Sequence, residues 1–211
     1  MTEGQLEDQD HPTVDEDGLL VRRFRKGDSS AFEELVVKYQ SKVFNTAYRM
    51  LSSYQDASDT AQEVFIRAYT SFPGFRGDSR VYTWLYRITV NTCLNKLKSR
   101  RPTVPFSDCG EVGVPTESPL NHPHRSGPIK KLEEKELQRR VQEGINSLPE
   151  RYRSMIVLRD IQGLRYQEIA EVLDCSLEAV RSSLYRARQE LRTRLQDIAP
   201  QIMDGARKTA K

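Results

Sequence analysis

The chain has 211 residues, of which 30% are charged and 8% aromatic, with a formal net charge of +3. That length admits one large domain or two small ones. Cysteines at 93, 109 and 175 are too few and too scattered for a disulfide framework or a C-x-x-C metal pair, no signal-peptide pattern opens the chain, and no apolar run reaches membrane-spanning length. Neither secretion nor membrane insertion is therefore expected, and a reducing, cytoplasmic location is.

Charge is segregated along the chain. Residues 1–21 carry seven acids and no Lys or Arg, whereas residues 22–101 carry fifteen bases against seven acids. Residues 1–17 therefore read as an acidic, disordered tail on a basic body, with order beginning near Gly18. A basic body implies a polyanionic partner.

The first strong helical pattern follows Gly27-Asp28-Ser29-Ser30. Ser30 and Glu33 have capping-box spacing, and Phe32, Leu35, Val36, Tyr39, Val43, Ala47 and Met50 form an apolar stripe on a helix reaching about Leu51. Asp56 is placed to cap a second helix, whose apolar face is Ala57, Ala61, Val64, Phe65, Ala68, Tyr69 and Phe72. Opposite that face lie Asp59, Glu63, Ile66, Arg67 and Thr70. Periodicity leaves open whether the exposed isoleucine marks a docking surface or is one unremarkable apolar residue.

Pro73 to Asp78 ends this helix, and Ser79 can cap the next. The stretch from Phe75 to Arg101, FRGDSRVYTWLYRITVNTCLNKLKSRR, combines aromatic rings, hydrogen-bonding side chains and cationic ends on one helix. Such a combination suits unpaired nucleic acid, because rings stack on bases while Lys and Arg follow phosphates. Thr83, Arg87, Asn91 and Lys98 fall on one polar stripe beside Trp84, which fits either a stacking role or the core. Arg100 and Arg101 either contact phosphate or face water.

Residues 102–129 hold six of the ten prolines and form an extended linker. Two domains are thus expected, over residues 18–101 and 130–196, with a tail from 197 to 211. His11, His122 and His124 all lie in the tail or linker, and the ligand spacing of His122, His124 and Cys109 does not fit a metal site. A charged helix runs from about Ile129 to Asn146, and another from Glu150 to Ile161. Tyr166 to Leu195 then reads as a helix-turn-helix. Leu177, Val180, Leu184, Ala187, Leu191 and Leu195 line one face of its second helix, capped by Ser176. The other face carries Glu178, Arg181, Ser182, Tyr185, Arg186 and Gln189, where Arg can pair with guanine and Ser or Tyr can reach bases or phosphates.

The whole is an all-α chain of two small helical domains. It contains no phosphate-binding loop, nucleophile elbow or H-E-x-x-H motif, so neither catalysis nor a cofactor is expected.

Three segments in this order, DASDTAQEVFIRAY (56–69), FRGDSRVYTWLYRITVN (75–91) and LPERYRSMIVLRDIQGLRYQEIAEVLDCSLEAVRSSLYRAR (148–188), closely resemble the extracytoplasmic-function class of bacterial RNA polymerase sigma factors. The resemblance covers about Gly18 to Leu195. It implies that Asp59, Gln62, Glu63, Ile66 and Arg67 bind core RNA polymerase. It implies that Arg76, Gly77, Asp78 and Ser79 capture a flipped base, and that Trp84, Arg87, Asn91 and Lys98 serve the minus-ten element. Arg181, Ser182, Tyr185 and Arg186 match the minus-thirty-five recognition helix, with Tyr166 and Arg188 assigned to the same surface.

Core polymerase, promoter DNA in duplex and single-stranded form, and an anti-sigma factor are the implied partners. The linker matches no family motif, and the tail is longer than a minimal member needs. A two-domain duplex-binding regulator acting without polymerase is the alternative.

Overall fold

The computed structural model describes residues 14–75, 77, 79–100 and 128–196. Among these residues all regular structure is helical: α1 (Val14–Arg25), α2 (Ser30–Leu51), α3 (Tyr54–Ser71), α4 (Val81–Ser99), α5 (Pro128–Asn146), α6 (Glu150–Ile156), α7 (Tyr166–Leu173) and α8 (Leu177–Arg194). A short 3₁₀ turn, Phe72–Gly74, closes α3, and α6 runs on into a π turn over Val157–Ile161.

The apolar stripes anticipated for α2 and α3 meet each other and α4. Leu35, Tyr39, Val43, Ala47 and Met50 of α2, Val64 and Ala68 of α3, and Leu85, Val90 and Cys93 of α4 are buried together. Phe72 is the hub of an aromatic cluster, 4.9 Å from the Phe24 ring and 5.7 Å from Trp84, whose other neighbour is Phe75 at 5.1 Å. Edge-to-face and tilted pairs of this kind add specificity to burial. Tyr69 belongs to the same cluster through Phe24 and Phe32, although it is half exposed and was expected inside.

Order begins before Gly18. Helix α1 starts at Val14, and its Asp17 is 5% exposed, accepting hydrogen bonds from Tyr39 Oη at 2.6 Å and Lys38 Nζ at 2.9 Å. A carboxylate with a cation and a hydroxyl donor can be buried where an isolated one could not. The part of the acidic tail before residue 14 lies outside the described residues.

Three caps differ from the sequence expectation. No bond joins Ser30 and Glu33; the Asp28 carboxylate accepts from Ser30 N at 3.0 Å and Ser30 Oγ at 2.5 Å instead, because a charged acceptor two residues back reaches the same amide. Helix α3 begins two residues before Asp56 and is capped by Ser53, which accepts from Asp56 N. Ser79 caps nothing: Arg80 occupies the N-cap of α4, without a side-chain cap bond. Asp56, released from capping, pairs with Lys96 at 3.1 Å and with Arg100, so Arg100 is held by a carboxylate.

In the second unit, α8 is capped as expected, Ser176 Oγ accepting from Ala179 N at 3.1 Å. Asp174 makes the left-handed turn between α7 and α8 at φ 49°, a conformation Asp tolerates through local hydrogen bonding. Val180, Leu184 and Ala187 are buried against α6 and α7, while Leu177, Leu191 and Leu195 are half-buried. Gly144 of α5 lies where a Cβ would come within 3.0 Å of Leu195 and 3.1 Å of Leu191, so α5 and α8 pack unusually close there. Helix α5 opens at Pro128, two residues inside the segment read as linker. Residues 101–127, including Cys109, His122, His124 and Arg101, lie outside the described residues, as do His11 and residues 197–211.

The two helical units also touch. Helix α7 packs on α4, and α5 and the π turn pack on the C-terminal end of α2.

Candidate nucleic-acid and protein interfaces

Helix α3 is buried on one side and open on the other because its small residues, Ala57, Thr60, Val64 and Ala68, let it lie close against α2 and α4. Its open side presents Asp59, Gln62, Glu63, Ile66 and Arg67, all exposed, with Ile66 at 67%. Glu63 and Arg67 form an ion pair at 2.5 Å, and Asp59 accepts from Gln55 at 3.3 Å. The five residues expected to dock therefore share one surface, and an isoleucine with no neighbour to cover it stands at its centre.

The loop between α3 and α4 borders an open cleft of about 220 Å³. Phe75, Gly77, Ser79 and Arg80 form one wall, the start of α4 a second, and Asp17, Val21, Arg22 and Arg25 of α1 a third. Gly77 turns the loop at φ +86°, which a side chain would strain. Arg25 ties α1 to the loop by donating to the Phe75 carbonyl. Arg22 and Arg25 were missed by sequence reasoning, since they precede the first strong helical pattern. Arg76 and Asp78 fall outside the described residues.

Along α4, Arg87, Asn91 and Lys98 are exposed on one stripe, and Asn95, four residues after Asn91, is exposed with them. Asn95 was also missed; its i+4 spacing was the available signal. Thr83, expected on the stripe, is buried at 1% exposure, because α4 is enclosed on more sides than its polar pattern indicates. Trp84 is half-buried in the Phe72–Phe75 cluster, supporting the loop with one face. Cys93 lies against the inner face, and burial pushes its thiol up to about 12, which leaves it inert.

The outer face of α8 is open. Arg181, Ser182, Tyr185 and Arg186 are all exposed, Tyr185 at 67%. The other two residues assigned there are engaged within the protein. Arg188 grips the Asp160 carboxylate of the π turn at 2.5 and 3.2 Å, and Tyr166 is half-buried with the Arg159 guanidinium over its ring at 5.1 Å. Both contacts fix the angle of α6 against the helix-turn-helix. Among the described residues no helix is long and apolar enough to cross a membrane.

Comparison with known proteins places the chain in a family. Residues 35–103 match the family model for sigma-70 region 2, and residues 138–191 match that for sigma-70 region 4. The chain is 42% identical over 183 residues to the ECF RNA polymerase sigma-E factor of Escherichia coli, covering 86% of this chain and 95% of that one. It is 39% identical over 187 residues to the RNA polymerase sigma-H factor of Pseudomonas aeruginosa, covering 88% and 97%. Among solved structures, CnrH in complex with the cytosolic domain of CnrY is similar with a TM-score of 0.65 and 25% identity, over 87% of this chain and 99% of that one. The sigma factor RpoE, solved with the anti-sigma factor NepR from Bartonella quintana, shares the fold at a TM-score of 0.59 and 18% identity, over 78% and 96%. The chain belongs to the extracytoplasmic-function class of RNA polymerase sigma factors, which bind core polymerase and direct promoter recognition and transcription initiation.

Proposed function

We propose that the surfaces described above divide the work of initiation. The open side of α3 docks on core polymerase through Asp59, Gln62, Glu63, Ile66 and Arg67. The α3–α4 loop, with Gly77 and Ser79 and the flanking Arg76 and Asp78, captures a flipped base of the minus-ten element in the 220 Å³ cavity. Trp84 braces that loop, and Arg87, Asn91 and Lys98 follow the unpaired strand. Arg181, Ser182, Tyr185 and Arg186 read the minus-thirty-five duplex, with Tyr166 and Arg188 holding that helix at its working angle.

One observation carries the reading. Two exposed cationic surfaces of different character stand on one chain: a helix face of Arg, Ser and Tyr suited to a duplex groove, and a loop cavity beside a polar helical stripe suited to bases that have left the stack. The protein works without catalysing a reaction of its own, in the cytoplasm, and is restrained by an anti-sigma factor. CnrH, solved bound to the cytosolic domain of another protein, supports that last role through its similarity over nearly its whole length.

Run-off transcription from a library of duplex promoters tests the assignment. Core polymerase with this chain should select templates with two conserved elements, and the Arg181→Ala variant should relax selection in the upstream one only. Equal transcription with and without the chain would remove the reading.

A further inference from the structure

The aim of the α3–α4 loop depends on how its two ends are held. At its middle Gly77 turns at φ +86°, and a Cβ there would meet nothing within 4 Å, so no packing fixes this point. The later end is set by the start of α4, where Val81 is buried and Trp84 N donates to the Arg80 carbonyl at 3.1 Å. The earlier end is the 3₁₀ turn Phe72–Gly74 with Phe75 behind it, and Phe75 N closes that turn on the Phe72 carbonyl at 3.1 Å.

Two neighbouring residues of α1 grip this earlier end. The Phe24 ring stands edge to face against Phe72 at 4.9 Å, and Arg25 donates from Nη2 to the Phe75 carbonyl, 50 residues along the chain. That carbonyl is the last backbone group of the turn before the loop begins, and a guanidinium gives it a charge-assisted partner. Helix α1 is a firm support for such a grip. Its Leu20 and Val21 are buried, and toward its other end Asp17 is held by Tyr39 Oη at 2.6 Å and Lys38 Nζ at 2.9 Å, both from α2.

We propose that Arg25 is a positioning residue for base capture: by fixing the Phe75 carbonyl it sets the direction in which the loop leaves its turn, and hence which base the loop accepts. The proposal rests on the assignment of that loop to a flipped base. It gives α1 a share in promoter selectivity, exerted through the backbone of the loop. The rival role for Arg25, which also lines the cleft, is direct contact with a DNA phosphate. The two roles differ in what they do to sequence. A displaced loop loses preference at one position, whereas a lost phosphate contact weakens every sequence alike.

The test uses core polymerase with the full chain carrying Arg25→Ala, Arg25→Lys or Ser79→Ala. Templates are duplex through the upstream element and single-stranded, with randomised sequence, through the minus-ten region. Bound templates are recovered at several salt concentrations and sequenced. Arg25→Ala should lower the preference for the captured base roughly tenfold, the worth of one charge-assisted hydrogen bond, at the same position that Ser79→Ala changes. Preferences at the other unpaired positions and in the upstream element should stay within about twofold, with the salt dependence unchanged. Arg25→Lys keeps one donor on a flexible stem and should recover part of the lost preference. Circular dichroism checks folding, and Arg25→Met, which keeps the apolar stem, replaces Arg25→Ala should that variant lose helicity.

Wild-type preference at that position in a folded Arg25→Ala holoenzyme overturns the proposal. An equal loss for all four bases with a shallower salt dependence also overturns it, because that is the mark of a phosphate contact. A change with Ser79→Ala but not with Arg25→Ala sinks this inference alone. If neither variant changes any position, the assignment of the loop to a flipped base fails with it.

Discussion

Glu63 and Arg67 stand four residues apart on the solvent side of α3, with side chains 46% and 52% exposed. Exchanging them, Glu63→Arg with Arg67→Glu, keeps an oppositely charged i,i+4 pair while inverting both charges seen by a partner. An exposed pair of this kind is worth about 0.3–0.5 kcal/mol, and reversing its orientation against the helix dipole forfeits only part of that. Stability should fall by less than about 0.5 kcal/mol, a melting shift of roughly 1–2 °C for a chain of this size. Docking should respond far more strongly. Like charges brought together at an interface cost several kcal/mol, so core polymerase should bind at least about tenfold more weakly, a loss of roughly 1.4 kcal/mol or more. Competition against fluorescent wild-type chain for core polymerase reads the affinity, and thermal denaturation of the free chain reads the stability. Ile66→Ala is the companion: at 67% exposure it buries little in the free chain, yet it should lose up to about 2 kcal/mol on docking. Affinities within twofold of wild type for both variants would refute the role given to this face.

Three further outcomes are expected. The Asp56 carboxyl is held at about 2, below its usual 3.8, by its hydrogen bond with Ser53 and then by Arg100 and Lys96. A depressed carboxyl stabilises above its unfolded pKa and ceases to do so as pH falls through the folded one. The shift corresponds to about 2.5 kcal/mol before solvent screening and about 1 kcal/mol after it, so Asp56→Asn should destabilise by that smaller amount at pH 7. Denaturant melts should show the difference shrinking between pH 4 and pH 2; a constant difference would rule the ion pairs out as its source. Arg181→Ala and Arg186→Ala should each cost about 1–3 kcal/mol if the side chain reads a base, with preference relaxed at one position, which selection from a randomised duplex would reveal. Asn91→Ala and Ser79→Ala should leave upstream recognition intact but reduce permanganate-reactive thymines in the opened promoter, because base capture acts after duplex binding. Wild-type melting by these variants would make the loop and helix structural.

The recognition helix was legible because its apolar residues recur every three or four positions and Ser176 precedes the first of them. The open face of α3 was legible in outline for the same reason, although periodicity located Ile66 without saying what it is for. Helix α4 was harder to read. Its residues are buried on several sides, by α2 and α3 on one and α7 on another, so Tyr82, Thr83 and Tyr86 are all buried although Thr83 falls on the polar stripe. The cavity escaped notice because half its wall comes from α1, whose acidic start resembled a tail. Asp17 shows why: its burial depends on Tyr39 and Lys38, more than twenty residues away, and no local pattern reports such a partner. Capping also misled wherever several candidates stood together. Asp28, Ser29 and Ser30 all suit a helix start, and the choice among them depends on backbone angles rather than residue type.

The π turn in α6 carries a consequence for chain length. Gln162 N bonds to the Val157 carbonyl at 3.0 Å, five residues back, so one more residue is wound into this turn than an α-helix would hold. Removing any single residue from Val157–Ile161 would give a regular helix, better bonded along its own axis. It would also rotate everything downstream by about 100° relative to α6. Gln162 would swing off Tyr86 of α4, whose hydroxyl donates to its side chain. A deletion that improves the local helix would therefore misaim the groove-reading module by more than a quarter turn, whereas most substitutions in the same stretch would leave its aim alone.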